Sequence, residues 1–189
     1  MMKKRLAVIF MATALSAASI TGCAGKNDAP AKTESQTETA ADVSLDELLD
    51  KIKEAYGDRY APNSEMDPQL LEDLAGLTPD LYEDYVAEMP LISTFVETFI
   101  GVKAADGKGD EVEKVLSAYR DRLVSDTMQY PMNLSKIQAS QVVRHGDYVF
   151  FVMLGAADDA ELEKGDEAAL NSAKENNQIA IDVIDGFFK

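Results

Sequence analysis

The sequence predicts an α+β domain with a mostly antiparallel sheet of about four strands, and three observations predict it. Amphipathic stripes with helix-start signals flank the middle of the chain, segments of alternating polarity lie between them, and those segments come as two adjacent couples rather than as strand–helix–strand repeats. The predicted order is α-α-β-β-α-β-β-α over residues 42–189, a length that suits one ordinary domain.

Ser44-Leu45-Asp46-Glu47 reads as a capping box, with Ser44 as N-cap, ahead of a stripe of Leu45, Leu48, Leu49, Ile52, Ala55 and Tyr56 that Gly57 stops. Asp67-Pro68 opens a second, short helix through Leu70, Leu71 and Leu74 to Gly76, and Thr78-Pro79 begins a further turn. The period then becomes two. Tyr85, Ala87, Met89 and Leu91 share one strand face, and Val96, Thr98, Ile100, Val102 and Ala104 share another, with an interruption from Pro90 to Thr94. Asp106 to Gly109 turns the chain into a long helix, capped by Asp110 with Glu113 and striped by Val112, Val115, Leu116, Tyr119, Leu123 and Thr127, which ends before Pro131.

Ile137, Ala139, Gln141 and Val143 predict a third strand, and His145-Gly146 falls where a two-residue hairpin turn belongs. Tyr148 to Leu154 is apolar on both faces, as a strand covered on each side must be. After an acidic loop from Asp158 to Glu167, the stripe Leu170, Ala173, Asn177, Ile181, Ile184 and Phe188 marks a C-terminal helix. Asp84 to Pro90, Val102 to Lys108, the long charged helix and Gly146 to Val149 together resemble a family of small bacterial lipoproteins, chiefly from Gram-positive organisms. The shared domain of that family is of unknown function, the likeness runs from about Leu45 to Leu154, and it implies no active-site residue.

The N-terminus predicts an address. Lys3, Lys4 and Arg5 precede an apolar run from Leu6 to Ala18, which is long enough for a secretory signal peptide and too short for a membrane span. Ile20-Thr21-Gly22-Cys23 resembles a lipobox, which implies cleavage between Gly22 and Cys23 and a diacylglycerol thioether on the Cys23 sulfur. Two acyl chains anchor a protein stably where one does not. Cys23 is the only cysteine, so no internal disulfide exists. Residues 24–41, rich in Ala, Lys, Thr, Glu, Ser and Gln, read as a tether with an r.m.s. reach of roughly 20 to 25 Å. The expected domains are thus a signal peptide at 1–22, a lipidated tether at 23–41 and one α+β domain at 42–189, held at the extracytoplasmic face of the cell membrane.

Without Lys3, Lys4 and Arg5 the 18 basic residues fall to 15 against 34 acidic ones, a formal charge of −19. Such a surface repels phosphate, so nucleic acid is not an expected partner and the membrane is reached only through lipid. His145 is the only histidine, expected to be exposed in its turn, which leaves little from which to build a triad or a zinc site. Asp106-Gly107-Lys108-Gly109-Asp110-Glu111 has Lys at a ligand position and Glu in place of the required Gly of a calcium loop. The acids from Asp158 to Glu167 read as a solvated loop, and Arg120 and Arg122, two apart on a helix, face different sides. The tyrosines read mostly as core. Glu97 lies beside Phe95 and Phe99 on the less apolar face of the second strand, where partial burial against the aromatic rings is expected.

No catalytic, metal or cofactor residue is therefore predicted. The leading expectation is a non-enzymatic module that binds an envelope protein or a small ligand, recognisable by an exposed apolar patch. A carboxylate-dependent hydrolase or transferase acting on envelope material, recognisable by convergent acids in a cleft, is the alternative from another class, followed by an architectural envelope component.

Overall fold

A computed structural model describes residues 42–189; the expected signal peptide, the Gly22–Cys23 junction and the tether lie outside the described residues. Helix α1 (Leu45–Tyr56) starts where its cap predicts, with Ser44 Oγ accepting from the Glu47 N–H at 3.3 Å, and it buries Leu45, Leu48, Leu49, Ile52 and Tyr56. Strand β1 (Ser64–Glu65) precedes α2 (Pro68–Ala75), whose N-cap Asp67 accepts from the Leu70 N–H at 2.8 Å. Thr78 to Leu81 is a single hydrogen-bonded turn. Strands β2 (Tyr82–Met89) and β3 (Thr98–Ala104) follow, then α3 (Gly109–Ser125), α4 (Leu134–Ala139), β4 (Gln141–His145), β5 (Tyr148–Met153), α5 (Asp159–Leu162) and α6 (Asp166–Phe187).

The α+β class holds, with five strands in place of about four. Their order is β1-β2-β3-β5-β4 and every neighbouring pair is antiparallel. Alternation then divides the side chains between two cores. Ile100, Val102, Val149, Phe151 and Met153 meet Leu71, Val112, Leu116 and Ile137 of α2, α3 and α4 on one face. Phe99, Phe150 and Val152 meet Leu48, Ile52, Ile181 and Ile184 of α1 and α6 on the other. All of β5 is buried, as its apolar sequence requires of an interior strand flanked by β3 and β4.

The junction between β5 and α6 is tight. A Cβ at Gly155 would lie 2.0 Å from the Ala173 carbonyl oxygen, so no other residue fits there without moving backbone. Beside it the fully buried Asn177 is a staple rather than one more member of an apolar stripe. Its Oδ1 accepts from the Leu154 N–H at 2.9 Å, and its Nδ2 donates to the carbonyls of Ala139 at 3.2 Å and Val152 at 3.3 Å.

Six local expectations are corrected. Ile137 and Ala139 lie in helix α4, not in a strand, because a six-residue helix can bury its i and i+2 positions when it is covered on two sides. The hairpin turn is Gly146-Asp147, one residue later than expected, since Gly146 supplies the positive φ of 61° and His145 pairs with Tyr148. Asp110 does not cap α3. The helix begins at Gly109 behind Lys108, and the Asp110 carboxylate is drawn to Arg144, which also binds Glu113 at 3.0 Å. Helix α3 closes at Ser125, which leaves Thr127 exposed outside its stripe, and α5 occupies part of the expected acidic loop. Leu91 is not a strand residue: β2 ends at Met89, and Leu91 is 78% exposed.

Candidate functional site

Two connections meet at the end of the sheet where β2 runs out and β3 begins. One spans 90–97, and the other spans 126–133, between α3 and α4. Pro90, which has no N–H to give a ladder, follows the last residue of β2, and Pro131 starts a 3₁₀ turn over Pro131–Asn133. Among the described residues ten large apolar side chains are exposed, and seven of them belong to 91–95 and 128–134. Leu91 at 78% and Met128 at 88% protrude furthest; Ile92, Phe95, Tyr130, Met132 and Leu134 surround them. Residues 90–96 and 127–135 contain no charged side chain at all, in a chain of which 28% is Asp, Glu, Lys or Arg.

Polar groups, the buried Glu97, Lys136 and Asn133 with the exposed Asn63 and Asp126, hold the two connections of this apolar pole in place. Glu97 and Lys136, 5% and 8% exposed, form an ion pair through Oε1 and Nζ. Glu97 Oε2 also accepts from the Val96 N–H at 3.1 Å, and the Lys136 ammonium sits 5.7 Å from the Phe95 ring centroid. Asn133, fully buried, donates from Nδ2 to the Thr94 carbonyl at 2.9 Å. Asn63 Oδ1 accepts from the Leu91 N–H at 2.8 Å, and Asp126 Oδ1 accepts from the Met128 N–H at 2.9 Å. Backbone bonds from Phe95 N–H to Ile92 and from Asn133 N–H to Tyr130, both carbonyls, complete the framework. Ala61, Asn63, Pro90, Ile92, Phe95 and Glu97 line a cleft of about 160 Å³ at its side.

The partial burial expected of Glu97 is thus nearly complete, and a lysine 39 residues away in sequence compensates it. The other buried carboxylate, Glu88, accepts from Lys53 Nζ at 2.6 Å and from the Tyr60 hydroxyl at 2.9 Å. Burial, reinforced by the Glu88 charge, holds the Tyr60 hydroxyl far above the ordinary tyrosine range, and burial does the same for Tyr56. Each buried acid is therefore engaged by a lysine. Glu97 also lines the cleft of about 160 Å³, with Oε1 held by Lys136 and Oε2 by the Val96 N–H.

The remaining sequence candidates are dispersed. His145 is not the exposed turn residue expected. Its ring stacks flat on Phe188, with centroids 4.5 Å apart, and Nε2 lies 3.0 Å from Asp185 Oδ1. Arg120 and Arg122 do face different sides. The first donates to the Ser140 carbonyl and the second to the Leu74 carbonyl, both at 2.7 Å and both at helix C-termini, where cations are favoured. Asp158 and Asp159 border a cleft of about 380 Å³ with Tyr56, Arg59 and Asn176. Among the described residues no three of His, Cys, Asp and Glu gather as metal ligands would, and no helix is long and apolar enough to cross a membrane. Most tyrosines are buried or partly so; Tyr130, on the apolar pole, is the exception.

The architecture defines an α+β domain with one five-stranded antiparallel sheet between two layers of helices and a pinned apolar end. The chain belongs to the family described as domain of unknown function (DUF4358), whose model matches residues 55–154, more than half of the chain. The matched span runs from the last turn of α1 through β5 and takes in both connections of the apolar pole, but not α6. Neither the curated proteins nor the solved structures contain a match.

Proposed function

We propose that this chain is a lipid-anchored, extracytoplasmic module that works by contact rather than catalysis, and that the apolar pole is its contact surface. One observation carries the reading of the domain: seven protruding apolar side chains share two adjacent connections, uncharged over 90–96 and 127–133, that buried polar groups hold in a fixed shape. Their summed exposed area, on the order of several hundred Å², is of the size at which an apolar surface patch is often functional. Pre-organisation lowers the ordering cost of any contact made there. A catalytic reading lacks comparable support, because Glu88 and Glu97 are both engaged by lysines.

The address rests on the leader and on Ile20-Thr21-Gly22-Cys23, which supply the recognition sequence and the nucleophilic sulfur for acylation. Metabolic labelling with a palmitate analogue is expected to tag the wild-type chain and not Cys23→Ala; equal labelling of both would refute the anchor. A photo-crosslinking residue at position 128 is expected to give adducts in living cells, whereas the same residue at 162, an exposed leucine on α5, gives none. Absence of any adduct at 128 would remove the pole from its proposed role.

A further inference from the structure

We propose that the apolar pole inserts into the interfacial layer of a lipid bilayer, so that residues 90–96 and 127–135 give a moored domain a fixed orientation. The inference takes its membrane from the function proposed above and goes further by naming what the pole touches.

Four features favour lipid. Residues 90–96 and 127–135 carry no charge, which is the property a segment needs before it can leave water for a bilayer; the acids that flank them are Glu97, paired with Lys136, and Asp126, which accepts from the Met128 N–H. They are convex: Met128 and Leu91 stand out from the surface, and the adjoining cleft of about 160 Å³ is too small to seat a partner's helix or strand. Lipid receives such a tip without needing a complementary shape. One of these protruding side chains, Tyr130, is an aromatic ring with a polar end, the type that collects at the bilayer–water boundary.

The third feature is that part of the backbone is already satisfied. Irregular chain enters the interfacial layer at less cost when some of its N–H and C=O groups bring partners with them. Here Asn63, Glu97, Asn133 and Asp126 provide side-chain partners for Leu91, Val96, Thr94 and Met128, and Phe95 and Asn133 make backbone bonds within their own connections.

The fourth is reach. The described chain starts at Asp42, bonded to Lys103 and Tyr148 at the opposite end of β3 from the pole. That distance is only about 20 Å along a seven-residue strand. The 18 residues between Cys23 and Asp42 span roughly 60 Å when extended, so the pole can meet the surface that holds Cys23.

Charge then gives the contact an unusual signature. The domain is strongly acidic, neither connection holds a Lys or Arg, and Lys136 beneath them is neutralised by Glu97. Insertion is driven by apolar area alone. It must weaken when anionic lipid is added and recover when salt screens the repulsion, the reverse of an electrostatically docked protein.

The test uses the mature chain, residues 23–189, carrying Cys23→Ala so that no acyl group contributes. Flotation with phosphatidylcholine vesicles should recover the chain with the lipid. Adding phosphatidylglycerol should lower the recovery, and salt should restore it. Leu91→Asp with Met128→Asp, at exposed positions that leave the fold unchanged by circular dichroism, should cut partitioning about 100-fold, roughly tenfold for each side chain withdrawn. Leu162→Asp, the same change on α5, should cut nothing. Because the chain has no Trp, Met128→Trp gives a background-free reporter whose emission should shift to the blue on the same vesicles.

Failure of the Cys23→Ala chain with an intact pole to float, a requirement for anionic lipid, or equal flotation of the double Asp variant would each overturn the proposal. So would a dimer that the two Asp substitutions dissolve, since the pole would then be covered by a second copy. Acylation of Cys23 is read separately by palmitate labelling, so loss of the anchor and loss of insertion are distinguishable.

Discussion

The two ends of the sheet use the same chemistry to opposite effect. At the end where the described chain begins, Lys103 binds Asp42 at 3.0 Å and Glu83 at 3.2 Å, but the Asp42 side chain is 85% exposed. At the apolar end Lys136 binds Glu97 with both side chains less than a tenth exposed. An ion pair in water gains little, because solvent competes for both charges and salt screens them. A buried pair is not strongly stabilising either, since removing two charges from water offsets most of their attraction. What burial changes is the cost of losing one partner. The surface pair decorates the start of the described residues, whereas the buried pair dictates how two connections fit together.

Lys136→Met should expose that asymmetry most strongly. It leaves the Glu97 carboxylate buried and unpaired, and should lower the unfolding free energy by about 3 to 5 kcal/mol in urea titrations. Adding Glu97→Met should return most of the loss, to within about 1 to 2 kcal/mol of wild type, because no orphaned charge remains. A double variant as unstable as the single one would mean that the lysine contributes packing alone.

Alkali sharpens the contrast between buried and exposed groups next. The hydroxyls of Tyr56 and Tyr60 are held above the ordinary value of 10.0 by burial, so the fold favours their neutral forms. Their contribution is complete below pH 10 and is lost as pH rises from there toward their raised values. Melting temperature should therefore stay level up to about pH 10 and then fall, and tyrosinate absorbance from these two should appear with unfolding rather than before it. Tyr60→Phe should move the fall to higher pH and cost about 1 to 2 kcal/mol at neutral pH, through loss of the bond to charged Glu88.

The exposed pair completes the comparison with the smallest effect. Lys103→Met should change stability by less than about 1 kcal/mol, and that difference should shrink further in high salt. A salt-insensitive loss of several kcal/mol would show that the two ends of the sheet do not differ as described.

Much of this fold is legible in the sequence because local chemistry agrees with tertiary need. Ser44 and Asp67 accept the bonds their cap positions call for, and the doubly apolar Tyr148–Met153 run becomes an interior strand. Misreadings occur where tertiary contacts override local pattern. Arg144 takes Asp110 away from the cap of α3, and the short α4 imitates alternation because its burial comes from two directions.

The apolar pole was harder to read. Glu97 stands out by its aromatic neighbours, but nothing local to Lys136 identifies its partner 39 residues earlier, and Leu91 looks like the continuation of a strand. The available signal was the absence of charge from 90–96 and again from 127–135 in so acidic a chain. The anchor proposed at Cys23, by contrast, rests on local sequence alone, because a lipobox is a short segment and not a fold.

The account depends on the pole being a preformed surface. Amide hydrogen exchange of the wild-type chain tests this most directly, at Leu91, Phe95, Val96, Met128 and Asn133, whose N–H groups all have partners. They should exchange well below the unfolded-chain rate, and Lys136→Met should accelerate Phe95 and Val96 under conditions in which the β5 amides remain protected. Exchange of all five at the unfolded-chain rate in the wild-type protein would contradict the account.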